Sequence, residues 1–257
     1  MFHSKQLAAL VLGLALSAHA GVTMVQTYEE IGGKQPASTN TIRLDKDKVR
    51  VDAGTNPDSY FIYRGDKKVF WMVNTKDKSY MEMTEKDFEA MFAKVDEAMK
   101  KMQAQMENMP PEQKKMMEGM MAKMMPGGAK TTKTTYKKTG AGGTVNGWST
   151  DKYEGIREGA KTSEVWTALP KNVNLDEKDF QVLKDMAKFF QKFAKNMPEM
   201  VGDKSNGLDG MPVKTISFKD GKPHFQSQLK EVKKESIAAD LFEVPAGLTM
   251  KKMGKPE

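Results

Sequence analysis

Residues 60–92 read YFIYRGDKKVFWMVNTKDKSYMEMTEKDFEAMF, and the hydrophobic period changes inside this stretch. Tyr60-Tyr63, Val69-Val73 and Tyr80-Met83 are short runs rich in aromatic, β-branched or alternating apolar residues. Arg64-Gly65-Asp66 and Asn74-Thr75-Lys76-Asp77 punctuate them with turn-forming residues, the pattern of an antiparallel meander. At Thr84 the period lengthens. Thr84-Glu85-Lys86-Asp87 has the form of a capping box, with a threonine hydroxyl available to the amide three residues on. Phe88, Met91 and Phe92 then recur at spacings of three and four, which predicts a helix with one apolar stripe.

Working outward, Thr23-Tyr28, Thr39-Leu44 and Lys48-Asp52 predict three more strands upstream, the last two joined by a tight hairpin at Asp45-Lys46-Asp47. Downstream, Val95, Met99, Met102, Met106 and Met109 continue the helical stripe until Pro110-Pro111 stops it. Pro111 suits the first turn of a second helix, carrying Met116, Met117, Met120, Met121, Met124 and Met125 and ended by Pro126-Gly127-Gly128. Residues 84–126 thus read as a methionine-rich helical hairpin between two runs of strands.

Thr131-Thr139 reads as a strand or flexible arm, Ala141-Gly142-Gly143 as a turn, and Trp148-Arg157 and Thr162-Ala168 as strands. Asn174-Leu175-Asp176-Glu177 reads as the start of a helix with Phe180, Leu183, Met186, Phe189, Phe190, Phe193 and Met197 on one side. Val213-Phe218, His224-Glu231 and Ser236-Ile237 return to strand patterns, and Leu241 to Leu248 close the sheet with another. Strands, then helices, then strands, without βαβ alternation, make the fold α+β. The economical architecture is one curved antiparallel sheet with helices over one face.

The first twenty residues carry Lys5, an apolar run from Leu7 to Leu16, and a small-x-small ending at Ala18-His19-Ala20. That is the pattern of a cleaved secretory signal, too short to span a bilayer, which takes about 20 apolar residues. The expected mature chain, residues 21–257, is one soluble periplasmic or secreted domain. It contains no cysteine, so packing alone must hold it together in an oxidising compartment. The net charge is +7, but lysines supply nearly all of it, interleaved with acids, and the arginines are only Arg43, Arg50, Arg64 and Arg157. A nucleic-acid site would cluster arginines and aromatics on one face, so no nucleic-acid partner is expected. An anionic membrane surface fits the compartment better.

Catalysis is not expected either. After the leader only one histidine remains, His224, in an alternating strand with no nucleophile motif nearby. There is no G-x-S-x-G, H-E-x-x-H or P-loop, and Gly142, Gly143 and Gly147 lack the spacing of a dinucleotide turn. No cofactor is implied. Asp176/Glu177 and Asp240/Glu243 read as a helix start and solvent-facing residues.

Three passages carry a family resemblance: Tyr63-Arg64-Gly65-Asp66 running into Val69-Val73 and Tyr80-Met83, Gly210-Met211-Pro212-Val213, and the terminal Leu241-Phe242-Glu243-Val244-Pro245-Ala246-Gly247. With these the chain resembles an uncharacterised family of LolA-like periplasmic proteins, related to lipoprotein and lipid carriers. The resemblance implies an open half-barrel whose curved sheet wraps an apolar ligand site beneath helices. Its motifs are structural, and none is catalytic.

The methionines supply the candidate site. Ten of them fall between Met99 and Met125. Each is worth about 1.5–3 kcal/mol when fully buried, so the stripe must cover something. As the flexible cover of an apolar ligand, Met102, Met106, Met109, Met116, Met117, Met120, Met121, Met124 and Met125 would line the site with Phe189 and Phe193. The alternative is a Cu(I) or Ag(I) site, because Met116, Met120 and Met124 place soft thioethers one helical turn apart. A third use is a docking hairpin for a membrane or protein partner, with Lys114, Lys115 and Lys123 beside the methionines.

Overall fold

The computed structural model describes residues 20–107, 109–110, 112–113, 134–191 and 206–252. The leader before Ala20, the second helix of the expected hairpin with Met116 to Met125, and Phe193 and Met197 lie outside the described residues.

Six strands open the chain: β1 (Gly21–Glu30), β2 (Ser38–Asp45), β3 (Lys48–Asp52), β4 (Ser59–Arg64), β5 (Val69–Asn74) and β6 (Ser79–Thr84). Helix α1 (Glu85–Glu107) follows directly. Then come β7 (Thr135–Val145), β8 (Trp148–Arg157), β9 (Ala160–Ala168), α2 (Gln181–Gln191), β10 (Met211–Lys219), β11 (Lys222–Glu235) and β12 (Thr249–Lys251). The twelve strands among the described residues form one curved, unclosed sheet in the order β12-β6-β5-β4-β3-β2-β1-β11-β10-β9-β8-β7. This is the expected α+β half-barrel. Its two meanders are sewn together by β1 against β11, from Gly21 opposite Glu235 to Glu30 opposite Phe225. Every pairing is antiparallel except β12 on β6.

The switch at Thr84 follows the expected chemistry. The Asp87 N–H donates to Thr84 Oγ1 at 3.3 Å, while Asp87 accepts from the Thr84 N–H at 2.8 Å and from its hydroxyl at 2.6 Å. Those bonds, the hydroxyl's first, hold the Asp87 carboxyl below its ordinary value of 3.8. Thr84→Ala is expected to cost about 1 kcal/mol of stability at neutral pH. Because the folded-state value is depressed, the part owed to Asp87 is present above its ordinary value and fades as pH falls through the lowered one. Urea titrations at neutral pH and near pH 3 check both points; an equal cost at the two would contradict the capping role.

Alternation along the strands gives the sheet two apolar faces. One face carries Val22, Leu44, Val49, Tyr63, Phe70 and Met83, which the strand registers place in a single cross-strand row. Phe88 of α1 and Phe180, Met186 and Phe189 around α2 bury this row in the larger core. The opposite face carries Tyr60, Ile62, Val69, Trp71 and Val73, and here the structure departs from the expected single covered face. Leu241 and Phe242 do not lie on a strand: Ala239–Phe242 is a 3-10 turn that drives Phe242 into the second face, where it is 0% exposed. Val244 and Leu248 pack beside it.

Two arginines fasten that segment. Arg50 stacks on Tyr60 with 3.7 Å to the ring centroid and donates to the Leu241 carbonyl at 3.0 Å. Arg64, buried, donates to the Phe242 carbonyl at 3.3 Å, to Glu243, and through two bonds to Asp66. The Arg64-Gly65-Asp66 and Leu241-to-Gly247 passages, distant in sequence, are therefore two halves of one clamp.

Other departures are local. Ala141-Gly142-Gly143 is not a turn but part of β7, where the register slips between Lys138 and Gly140 and again between Ala141 and Gly143. A Cβ on Gly142 would sit 2.5 Å from Thr150 Oγ1 and 2.7 Å from Trp166, and Gly143 has φ +70°, so the glycines serve β-bulges. Ser236-Ile237 lies beyond the end of β11, and Ile237 packs against the second core. Asp176 caps a short turn by accepting from the Lys178 and Asp179 amides, and α2 begins only at Gln181. Strand β12 was not expected.

Candidate functional site: an apolar groove at the sheet edge

One residue pair further along each strand from the buried row, the registers align a second row on the same face. It runs Val232, Met24, Ile42, Val51, Phe61, Met72, Met81 and ends at Lys251. A third row follows with Gln26 opposite Asn40 and Asn74 between Ser59 and Ser79. The helix-bearing face thus grades from a buried apolar row, through an apolar row, to a polar margin.

The second row loses its cover toward the sheet edge. Met24 is buried, Ile42, Val51, Phe61 and Met81 are half-buried, and Met72 is 54% exposed. Around Phe61, Met72 and Met81 a groove of about 320 Å³ opens, bounded by Ala53, the polar Ser59 and Asn74, and Lys251. That volume is at the small end of the range for ligand pockets. Among the described residues nothing lining it pairs a nucleophile with a base; they can bury an apolar chain and present one cation.

The sequence-derived candidates fall elsewhere. Phe189 is buried among Tyr63, Phe88 and Phe190, with ring centroids 6.0, 5.5 and 5.4 Å away. Phe70 completes this cluster, 5.0 Å from Phe190 and 5.2 Å from Tyr63, so side chains fill the space where α2 meets the sheet. On and just after α1, Met106 is buried while Met102 and Met109 are half-buried. None of the three lines the groove. Met116, Met117, Met120, Met121, Met124, Met125 and Phe193 lie outside the described residues, as does the thioether set considered for copper. The groove-lining Phe61, Met72, Met81 and Lys251 were not singled out as a site. The signal was available only in part, as strand alternation within the apolar Val69-Val73 run turns Met72 to the face opposite to Trp71.

Residues 97–248 match the family described as a domain of unknown function (DUF4412). The chain belongs to that family. The matched span runs from the second half of α1 to just before β12, so β4, β5 and β6 of the groove precede it and β12 follows it. No curated protein matches the sequence. Among solved structures, the chain is similar to an uncharacterised conserved protein from Thermus thermophilus, at 8% identity over 90% of both chains with a TM-score of 0.45. It is also similar to a chain in the MucA/MucB complex of Pseudomonas aeruginosa, at 10% identity over 91% of this chain and 58% of that one, with a TM-score of 0.41. Among the described residues no helix is long and apolar enough to cross a membrane.

Proposed function

We propose that this family member is a non-enzymatic, LolA-like periplasmic carrier that holds an apolar ligand, an acyl chain or lipid, on the helix-bearing face of its sheet. The observation that carries this reading is the continuous apolar cross-strand row left uncovered at Met72. Fully burying such a side chain is worth about 1.5–3 kcal/mol, and exposing it beside Phe61 and Met81 forgoes that unless something binds there. The apolar row and polar margin match what a ligand site needs, a greasy floor with a few polar groups at its mouth. The leader-like first twenty residues support the compartment.

A dansyl-labelled fatty acid tests the site. Saturable binding by the wild-type protein is expected, and Met72→Glu should weaken it at least tenfold, about 1.4 kcal/mol. Because Met72 is exposed, its substitution should change stability by no more than about 0.5 kcal/mol. Absence of saturable binding, or binding untouched by Met72→Glu, would overturn the reading.

A further inference from the structure

The apolar row does not end in another apolar residue. Strand β12 runs parallel to β6 with Lys251 opposite Met81, so Lys251 closes the series Phe61, Met72, Met81 on the same face. Among the described residues it is the one charged side chain lining the groove. Several cations in this molecule have acidic company: Arg43 and Arg50 share Asp52, Lys161 sits between Glu154 and Glu164, and Lys234 reaches Asp176 and Asp179. Among the described residues no carboxylate pairs with Lys251. An ammonium with no carboxylate partner among the described residues, at the end of an apolar floor, complements one shape of ligand, a single chain with an anionic head.

We infer that the groove selects a long-chain fatty acid, its hydrocarbon lying across β4, β5 and β6 and its carboxylate meeting the Lys251 ammonium. Neighbouring strands lie about 4.8 Å apart, so the floor from Phe61 to Lys251 extends about 14 Å. An extended chain along it needs no bend to bring its head to the edge. The charge of Lys251 draws the carboxylate, and its compact ammonium, with three rotatable donors, can meet it from several directions. Lys252, the next residue, lies past the end of β12 and does not line the groove, so it takes no part.

This inference rests on the proposed carrier function, and a competition experiment separates the two. Palmitate and the neutral hexadecanol, which share a chain length, are titrated against protein loaded with the dansyl-labelled fatty acid. In wild-type protein palmitate is expected to compete at least tenfold more strongly. Lys251→Gln should bring the two within twofold of each other, Lys251→Arg should keep the preference, and Lys252→Gln should leave it unchanged. Equal competition by both in the wild type, or a preference that survives Lys251→Gln, overturns the head-group assignment while the apolar groove stands. Failure of both competitors together with insensitivity to Met72→Glu overturns the groove itself.

Discussion

Phe242→Ala is expected to destabilise the protein by about 3–5 kcal/mol, the range for removing a fully buried phenylalanine. The ring has no exposed surface and sits with Tyr60, Ile62, Val69, Trp71 and Val73 in the second core. Its loss removes packing on that face and also the reason for the 3-10 turn to stay docked. The carbonyls of Leu241 and Phe242 would then leave Arg50 and Arg64, and the buried Arg64 would keep only Asp66 as a firm partner. A urea midpoint shift corresponding to less than about 1 kcal/mol would show that the second face is not a core.

The clamp also makes this face sensitive to acid. The hydrogen bond from Arg64 holds Asp66 below its ordinary 3.8. Burial works against the charge on Glu243, but bonds from Arg64 and Lys67 outweigh it and hold that carboxyl below 4.5. Both folded-state values are depressed, so their contribution is fully present above the ordinary values and is lost as pH falls through the lowered ones. In Phe242→Ala protein, where the segment is no longer docked, the Glu243 share of the acid dependence should flatten while the Asp66 share, held by Arg64 alone, persists.

Phe88→Ala should cost a similar amount, about 3–5 kcal/mol. Phe88 meets Phe70, Phe189 and Phe190 edge-on, with centroids 6.2, 5.5 and 5.3 Å away. Edge-to-face pairs add about 0.5–1.5 kcal/mol each beyond burial, so one ring ties α1 to the sheet and to α2 at once. Hydrogen exchange should separate this loss from that of Phe242→Ala: amides of α1 and α2 lose protection first in Phe88→Ala, whereas those of β4 and β5 do so in Phe242→Ala. Identical exchange patterns in the two variants would mean that the two faces are not distinct cooperative units.

Much of the architecture was legible because it is written locally. The strand runs, the threonine cap and the helical stripe each depend on residues within a few positions of one another. The glycines of β7 misled for a physical reason: Ala141-Gly142-Gly143 has turn composition, and only the closeness of Thr150 and Trp166 across the sheet makes it a bulge. Likewise Phe242 and Val244 are spaced as on a strand, yet Arg50 and Arg64 hold a 3-10 turn there. The candidate site was hardest to read. Methionines on a helix announce themselves by period, whereas Phe61, Met72, Met81 and Lys251 look ordinary until the registers align them.

The sequence by itself determined the α+β class, nearly every strand of both meanders, the start of α1, and an apolar stripe that needs covering. These follow from side-chain period and backbone preference, which act over a few residues. Only the tertiary structure decided that β1 pairs with β11, that β12 pairs with the β6 edge, and that the sheet has a core on each face. It alone brought Arg64 to Phe242 and Lys251 to Met81. Those contacts join residues far apart along the chain, and no local pattern fixes which distant strand a given edge will meet.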